Sequence, residues 1–191
     1  MIHKGREIEQ RNVQRHTEWG KEELARQLQL IKVGKSKSIS FWEVFGTDDL
    51  LRQLERMPQI EVLSLEMTDV TEAGFKSIST LPKLRLLSLH HRGFDAKGLA
   101  HLKGMTSLEE LRLMNTSVTN EGLSVLADLP NLKKLSISTE ERMSTLTDAG
   151  LVHLRGLSSL EKLELSGGWA SKNAIAKLQS ELPHCKIVAD R

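Results

Sequence analysis

Glu66 and His90 are the side chains in this sequence best suited to chemistry. They stand 24 residues apart, which is also the interval at which whole segments of the chain repeat. Equivalent positions on neighbouring strands of a sheet lie about 5 Å apart. A carboxylate that close to an imidazole can share acid–base work or supply half of a metal site. No nucleophile or further ligand completes either arrangement, although His91 adjoins. A P-loop, a G-x-G-x-x-G turn, an H-E-x-x-H helix and a zinc-type cysteine pair are all missing from the sequence. The expectation is a protein without catalysis, cofactor or metal.

A second group points to binding. If Ile39 and Phe41, Leu63 and Leu65, and their successors face a core, the residues between them face outward. That row includes serines at 40, 64, 88 and 136, which leave the middle of the face flat. Trp42, Val62, Leu86 and Met114 then aim apolar side chains at water, with Glu66, His90, Glu110, Arg112 and Lys134 around them. Apolar groups ringed by charge are the composition of a protein interface, and Trp and Arg are its usual anchors.

Six units must position these residues. They begin at Ser36, Ile60, Leu84, Leu108, Leu132 and Leu160, at steps of 24 residues and a last step of 28. Each opens with a period-two apolar alternation, which predicts a strand with one buried face. Six residues later, ten in the fifth unit, comes a helix N-cap: Thr47, Thr71, Asp95, Thr119, Thr147 or Ser171. Three residues past the cap the inner units carry Gly74, Gly98, Gly122 and Gly150. Glycine in a helix costs about 1 kcal/mol against alanine, so this column predicts helices lying close to a neighbour's backbone. Each helix ends at a proline (Pro58, Pro82, Pro130, Pro183) or at Gly104 or Gly156, the glycines by permitting positive φ.

Repetition at this length predicts a solenoid, in which each unit buries its core only against the next. Its expected divisions are a polar leader and capping helix over 1–35, six repeats over 36–183 (36–59, 60–83, 84–107, 108–131, 132–159, 160–183) and a terminal strand over 184–191. The capping helix follows Thr17–Gly20, presents Leu24, Leu28 and Ile31 at helical spacing, and ends at Gly34. The fifth unit holds four extra residues within 139–145, which places Glu140, Glu141 and Arg142 on a rim beside the outward face.

The L-x-x-L-x-L strands, with Thr119 to Leu123 and the run Thr147-Asp148-Ala149-Gly150-Leu151, resemble the leucine-rich repeat family, in its bacterial, ribonuclease-inhibitor-like branch. The resemblance covers roughly residues 36–188. Where the family has Asn or Cys after the strand this chain has Thr68, Arg92 and Thr116, so a continuous asparagine ladder is not expected. The resemblance implies an α/β, right-handed horseshoe solenoid, with a parallel sheet on the concave face and helices on the convex face. It also implies a non-catalytic module that binds another protein through its concave face. The first alternative is an inhibitor or regulator of one enzyme or toxin; the second is an enzyme using Glu66 and His90.

Composition excludes other classes. With 27 basic and 25 acidic residues, net charge +2, there is no field to hold nucleic acid or an anionic membrane. No apolar run reaches a membrane span, and the first 20 residues are polar rather than signal-like. One cysteine, Cys185, excludes an intrachain disulfide and reads as a small buried hydrophobe in a reducing compartment. The expectation is a cytoplasmic monomer.

Overall fold

The structure, a computed structural model, describes residues 20, 22–42, 47–90, 93–139 and 145–190. The apolar alternations form strands: β1 (Ser38–Trp42), β2 (Val62–Glu66), β3 (Leu86–His90), β4 (Glu110–Met114), β5 (Lys134–Ser138) and β6 (Lys162–Ser166). A seventh, β7 (Lys186–Ala189), follows near the C-terminus. All pair in parallel, in chain order, as one seven-stranded sheet. The 24-residue step becomes register directly: Ile39 lies beside Leu63, Leu63 beside Leu87, and Leu87 beside Leu111. Parallel strands need a crossover, and each connection here carries helix.

Before β1, residues 22–32 form the helix α1, closed by Gly34 at φ 71°. The later ones are α2 (Thr47–Leu54), α3 (Glu72–Ser79), α4 (Ala96–Ala100), α5 (Asp148–Leu151) and α6 (Lys172–Glu181). The fourth unit differs from expectation. Its helix, Glu121–Asp128, is 3₁₀, and α5 passes into a 3₁₀ turn over Val152–Gly156. Gly122, Ser124, Val125 and Asp128 are weak α-formers, whereas α6, with Ala174 and Ala176 and no glycine, runs ten residues.

One face of the sheet packs on the helices in a single core. Leu63, Leu87, Leu111 and Leu163 are fully buried, as are Leu99, Leu126 and Leu154 from the helix layer. Leu24 and Ile31 join that core from α1, and Leu28 packs against it. The amide of Gln27 also seals the outer edge of β1: its Oε1 accepts from Ser40 N–H at 2.8 Å, and its Nε2 donates to Ser40 O at 3.2 Å. A glutamine here stands in for a neighbouring strand and blunts an edge that would otherwise pair indiscriminately.

The caps behave as their chemistry requires. Thr71, Asp95, Thr119, Thr147 and Ser171 each accept from a backbone N–H of the following turn. The side chain of Thr47 lies outside the described residues. Caps of successive units are also joined. Asp48 accepts from Thr71 N–H and Oγ1; Asp148 does the same for Ser171. Asn120 Oδ1 accepts from Thr147 N–H, and its Nδ2 donates to Thr147 Oγ1.

Those bridges correct the reading of the glycine column. Added Cβ atoms would meet the preceding unit's side chains rather than its backbone: Asp48 Oδ1 at 2.3 Å from Gly74, the Phe75 ring at 2.4 Å from Gly98, and Asn120 Oδ1 at 2.7 Å from Gly150. Only at Gly122 does backbone come near, with Ala96 Cα at 3.4 Å. Gly104 has φ 76° but lies in the turn after α4, past its C-cap His101; Gly156 does not have positive φ, and its turn closes by a Leu157 N–H bond to Leu154 O. No helix among the described residues is long and apolar enough to cross a membrane.

Candidate functional site

The sheet face away from the helices is the candidate site. In every strand the odd-numbered or even-numbered set between the core residues looks outward, and β1 alternates exposed and buried without exception. Register sorts those residues into three columns. The first passes from Val62 and Leu86 through Glu110 to Lys134, Lys162 and Lys186. The second runs from Ser40, Ser64 and Ser88 to Arg112, Ser136 and Glu164. Trp42, Glu66, His90, Met114 and Ser138 make the third. The first column thus passes from apolar to charged toward β7, the second is mostly serine, and in the third Glu66 and His90 separate Trp42 from Met114.

Every expected face residue that is described sits where the alternation placed it, but exposure is uneven. Trp42 is 50% exposed. Val62, Leu86 and Met114 are half-buried, because neighbours on adjacent strands shade their flanks. Glu66 and His90 are register partners, as their spacing required, yet no hydrogen bond or ion pair joins their side chains. Among the described residues no group of three His, Cys, Asp or Glu side chains is placed to hold a metal ion. Glu140, Glu141 and Arg142 lie outside the described residues. Where the insertion leaves the sheet, Thr139 N–H donates to Ser166 O. Its carbonyl would stand 1.9 Å from any Cβ at Gly167, whose φ is 96°. Only glycine fits there.

The charged half is held by its own pairs. Glu110 takes Arg112 and, at 3.8 Å, Lys134. Glu164 pairs with Lys162 and accepts from Ser136 Oγ at 2.7 Å; the Lys162 bond first, and Ser136 second, hold its carboxyl below the usual range. These groups are solvated, so each pair is worth about 0–1 kcal/mol and a partner's charges can replace it at small cost. Between β4 and β7 the face encloses a hollow of about 630 Å³. That volume would suit a small molecule, but its lining, in which Met114, Leu135, Ile137, Leu165 and Val188 are mixed with Lys, Glu, Arg, Ser and Asp, lies on an open sheet and lacks the enclosure such sites have.

Sequence reasoning missed three features. Lys37, Glu61, Arg85, Glu109, Lys133 and Glu161 form a ladder of alternating charge at the strand entrances, with contacts of 2.6 Å (Lys37–Glu61), 3.0 Å (Arg85–Glu109) and 3.3 Å (Lys133–Glu109). The repeat spacing carried that signal. Met67 is 48% exposed and held at φ 51°, with Asn115 at the equivalent position at φ 50°. Val188 on β7 is 42% exposed. Cys185, by contrast, is buried as expected, and burial raises its thiol pKa. No protein-family model matches this chain, and no curated protein matches it.

Proposed function

We propose that the chain is a right-handed leucine-rich-repeat-type solenoid and a non-catalytic protein-interaction module. Its partner is another protein, docked on the sheet's open, concave face with Trp42 as anchor. The observation that carries this reading is Trp42 itself. A tryptophan half exposed on the sheet's open face, with half-buried Val62 and Leu86 side by side in another column and Met114 beyond Glu66 and His90 in its own, sets apolar groups among charged and serine neighbours. Such patches mark binding sites. The pairs at Glu110, Arg112, Lys134 and Glu164 supply a polar rim, and the insertion bearing Glu140, Glu141 and Arg142 follows directly from the end of β5.

The test is quantitative capture from lysate with wild type and with Trp42→Ala/Met114→Ala, using Val152→Ser on the helix-covered side as control. The expected result is a partner retained by wild type and the control and depleted at least about tenfold by the double variant. Equal recovery by all three proteins removes the face from consideration.

A further inference from the structure

The two edges of the sheet are treated differently. The outer edge of β1 is occupied by the Gln27 amide. On the β7 side the Gln179 amide reaches only the carbonyl of Cys185, just before the strand, at 2.8 Å; among the described residues no side chain bonds the backbone of Ile187 or Ala189. Lys186 N–H donates to Glu161 O and Asp190 N–H to Leu165 O. With a period of two, Lys186, Val188 and Asp190 therefore turn their backbone toward β6, and Ile187 and Ala189 turn theirs outward. On the open face of this strand stand Lys186, Val188 and Asp190, all exposed. No side-chain ion pair engages Lys186 or Asp190 among the described residues. Val188 is one of few large apolar side chains that the fold leaves in water.

We infer that β7 is a self-complementary edge and that its occupant is the β7 of a second copy of this chain, paired antiparallel about a two-fold axis through Val188. The register follows from the order of three side chains. With Val188 opposite Val188 of the second copy, Ile187 lies opposite its Ala189, and Lys186 lies opposite its Asp190. Ile187 and Ala189 are the residues whose N–H and C=O point outward, so each facing pair exchanges both backbone hydrogen bonds. The Val188 pair falls at a non-hydrogen-bonded position, where side chains approach most closely and an apolar contact counts for most. The Lys186–Asp190 pairs flank it on both sides with opposite charges. Shifting the register by two residues in either direction places Lys186 or Asp190 against Val188 and loses both matches.

A two-fold axis normal to the sheet keeps both open faces on the same side, so the dimer joins them into one wall of twice the length, with the lysine columns at its centre. This departs from the monomer expected from composition. A four-residue edge is small for an interface, so the dimer is weak and its population depends on protein concentration. Pairing by β7 does not draw on the Trp42 patch, and it holds or fails independently of the proposed partner.

Sedimentation equilibrium of the full chain over a wide concentration range tests this. Wild type is expected to show reversible dimerisation. Lys186→Asp alone and Asp190→Lys alone, which set like charges against one another, are expected to weaken it at least about tenfold. The exchange of both, Lys186→Asp/Asp190→Lys, is expected to restore it. Ala189→Pro removes an outward donor at a position where an edge strand tolerates proline and is expected to abolish the dimer. The two charge variants break no side-chain bond among the described residues, so they decide the matter even if the proline variant does not fold. A wild type that stays monomeric throughout overturns the inference, as does a dimer indifferent to the single reversals. Failure of the double exchange to rescue overturns the register.

Discussion

Gly98→Ala is the substitution that most sharply separates a spacing glycine from an incidental one. Its added Cβ would lie 2.4 Å from Phe75 Cε2, 2.5 Å from Cδ2 and 3.1 Å from Cγ, where ordinary contact begins near 3.4 Å. The ring must therefore withdraw by about 1 Å. It has little room to do so: Phe75 is 1% exposed and stands edge-on to the fully buried Phe94, centroids 5.8 Å apart at 84°. Overpacking of this kind costs about 1–3 kcal/mol, against a gain of about 1 kcal/mol from alanine's helix propensity. The expected net effect is a loss of about 1 kcal/mol, with about 2 as the upper end. Gly156→Ala is the control. Its Cβ would meet only Ala127 Cβ, at 3.7 Å, and its φ is not positive, so it is expected to stabilise by about 0.5–1 kcal/mol. Urea unfolding with linear extrapolation reads both. Opposite signs support the reasoning; stabilisation by both alanines would mean that the glycine column does not set how closely the units stack.

Other expectations concern single residues. Met67→Gly relieves a left-handed conformation and is expected to stabilise by about 0.5 kcal/mol in the same unfolding assay. Thr68 is 2% exposed and its hydroxyl has no partner among the described residues, so Thr68→Val is expected to gain up to about 1 kcal/mol rather than lose stability. The Ser171 hydroxyl, and then its backbone N–H, hold the Asp148 carboxyl below its ordinary 3.8. A lowered folded-state value gives stability present above the unfolded-state pKa and lost as pH falls through the folded one. Asp148→Asn is therefore expected to flatten the acid limb of stability against pH below about 3.8, seen in urea midpoints, and to leave its slope near neutrality unchanged.

Much of this arrangement was legible because one interval governs it. A step of 24 residues fixed which leucines share a core, and the structure converts that step into register from β1 through β5 without slippage. The cap column was equally plain, since Thr, Asp and Ser at a fixed offset from a strand have one obvious use. What stayed hidden depends on neighbours across units. Nothing local says that Gly74 makes room for Asp48 or that Gln27 imitates a strand, because in both cases the partner is more than ten residues away. The 3₁₀ helix at Glu121–Asp128 turns on several weak helix formers acting together, which no single residue announces. On the open face, alternation gave the direction of each side chain but not its exposure, so Val62 and Leu86 were placed correctly and expected to be more open to water than they are. The alternating charges from Lys37 to Glu161 followed the same period and needed only to be read down the column.

Oxidative footprinting of a captured complex, compared with the chain alone, tests the proposed binding face most directly. Trp42 and Met114 are expected to lose reactivity on binding, with Val152 and the exposed side of α6 unchanged. Protection confined to the helix side, with Trp42 as reactive in the complex as in the free chain, would contradict a partner docked on the sheet.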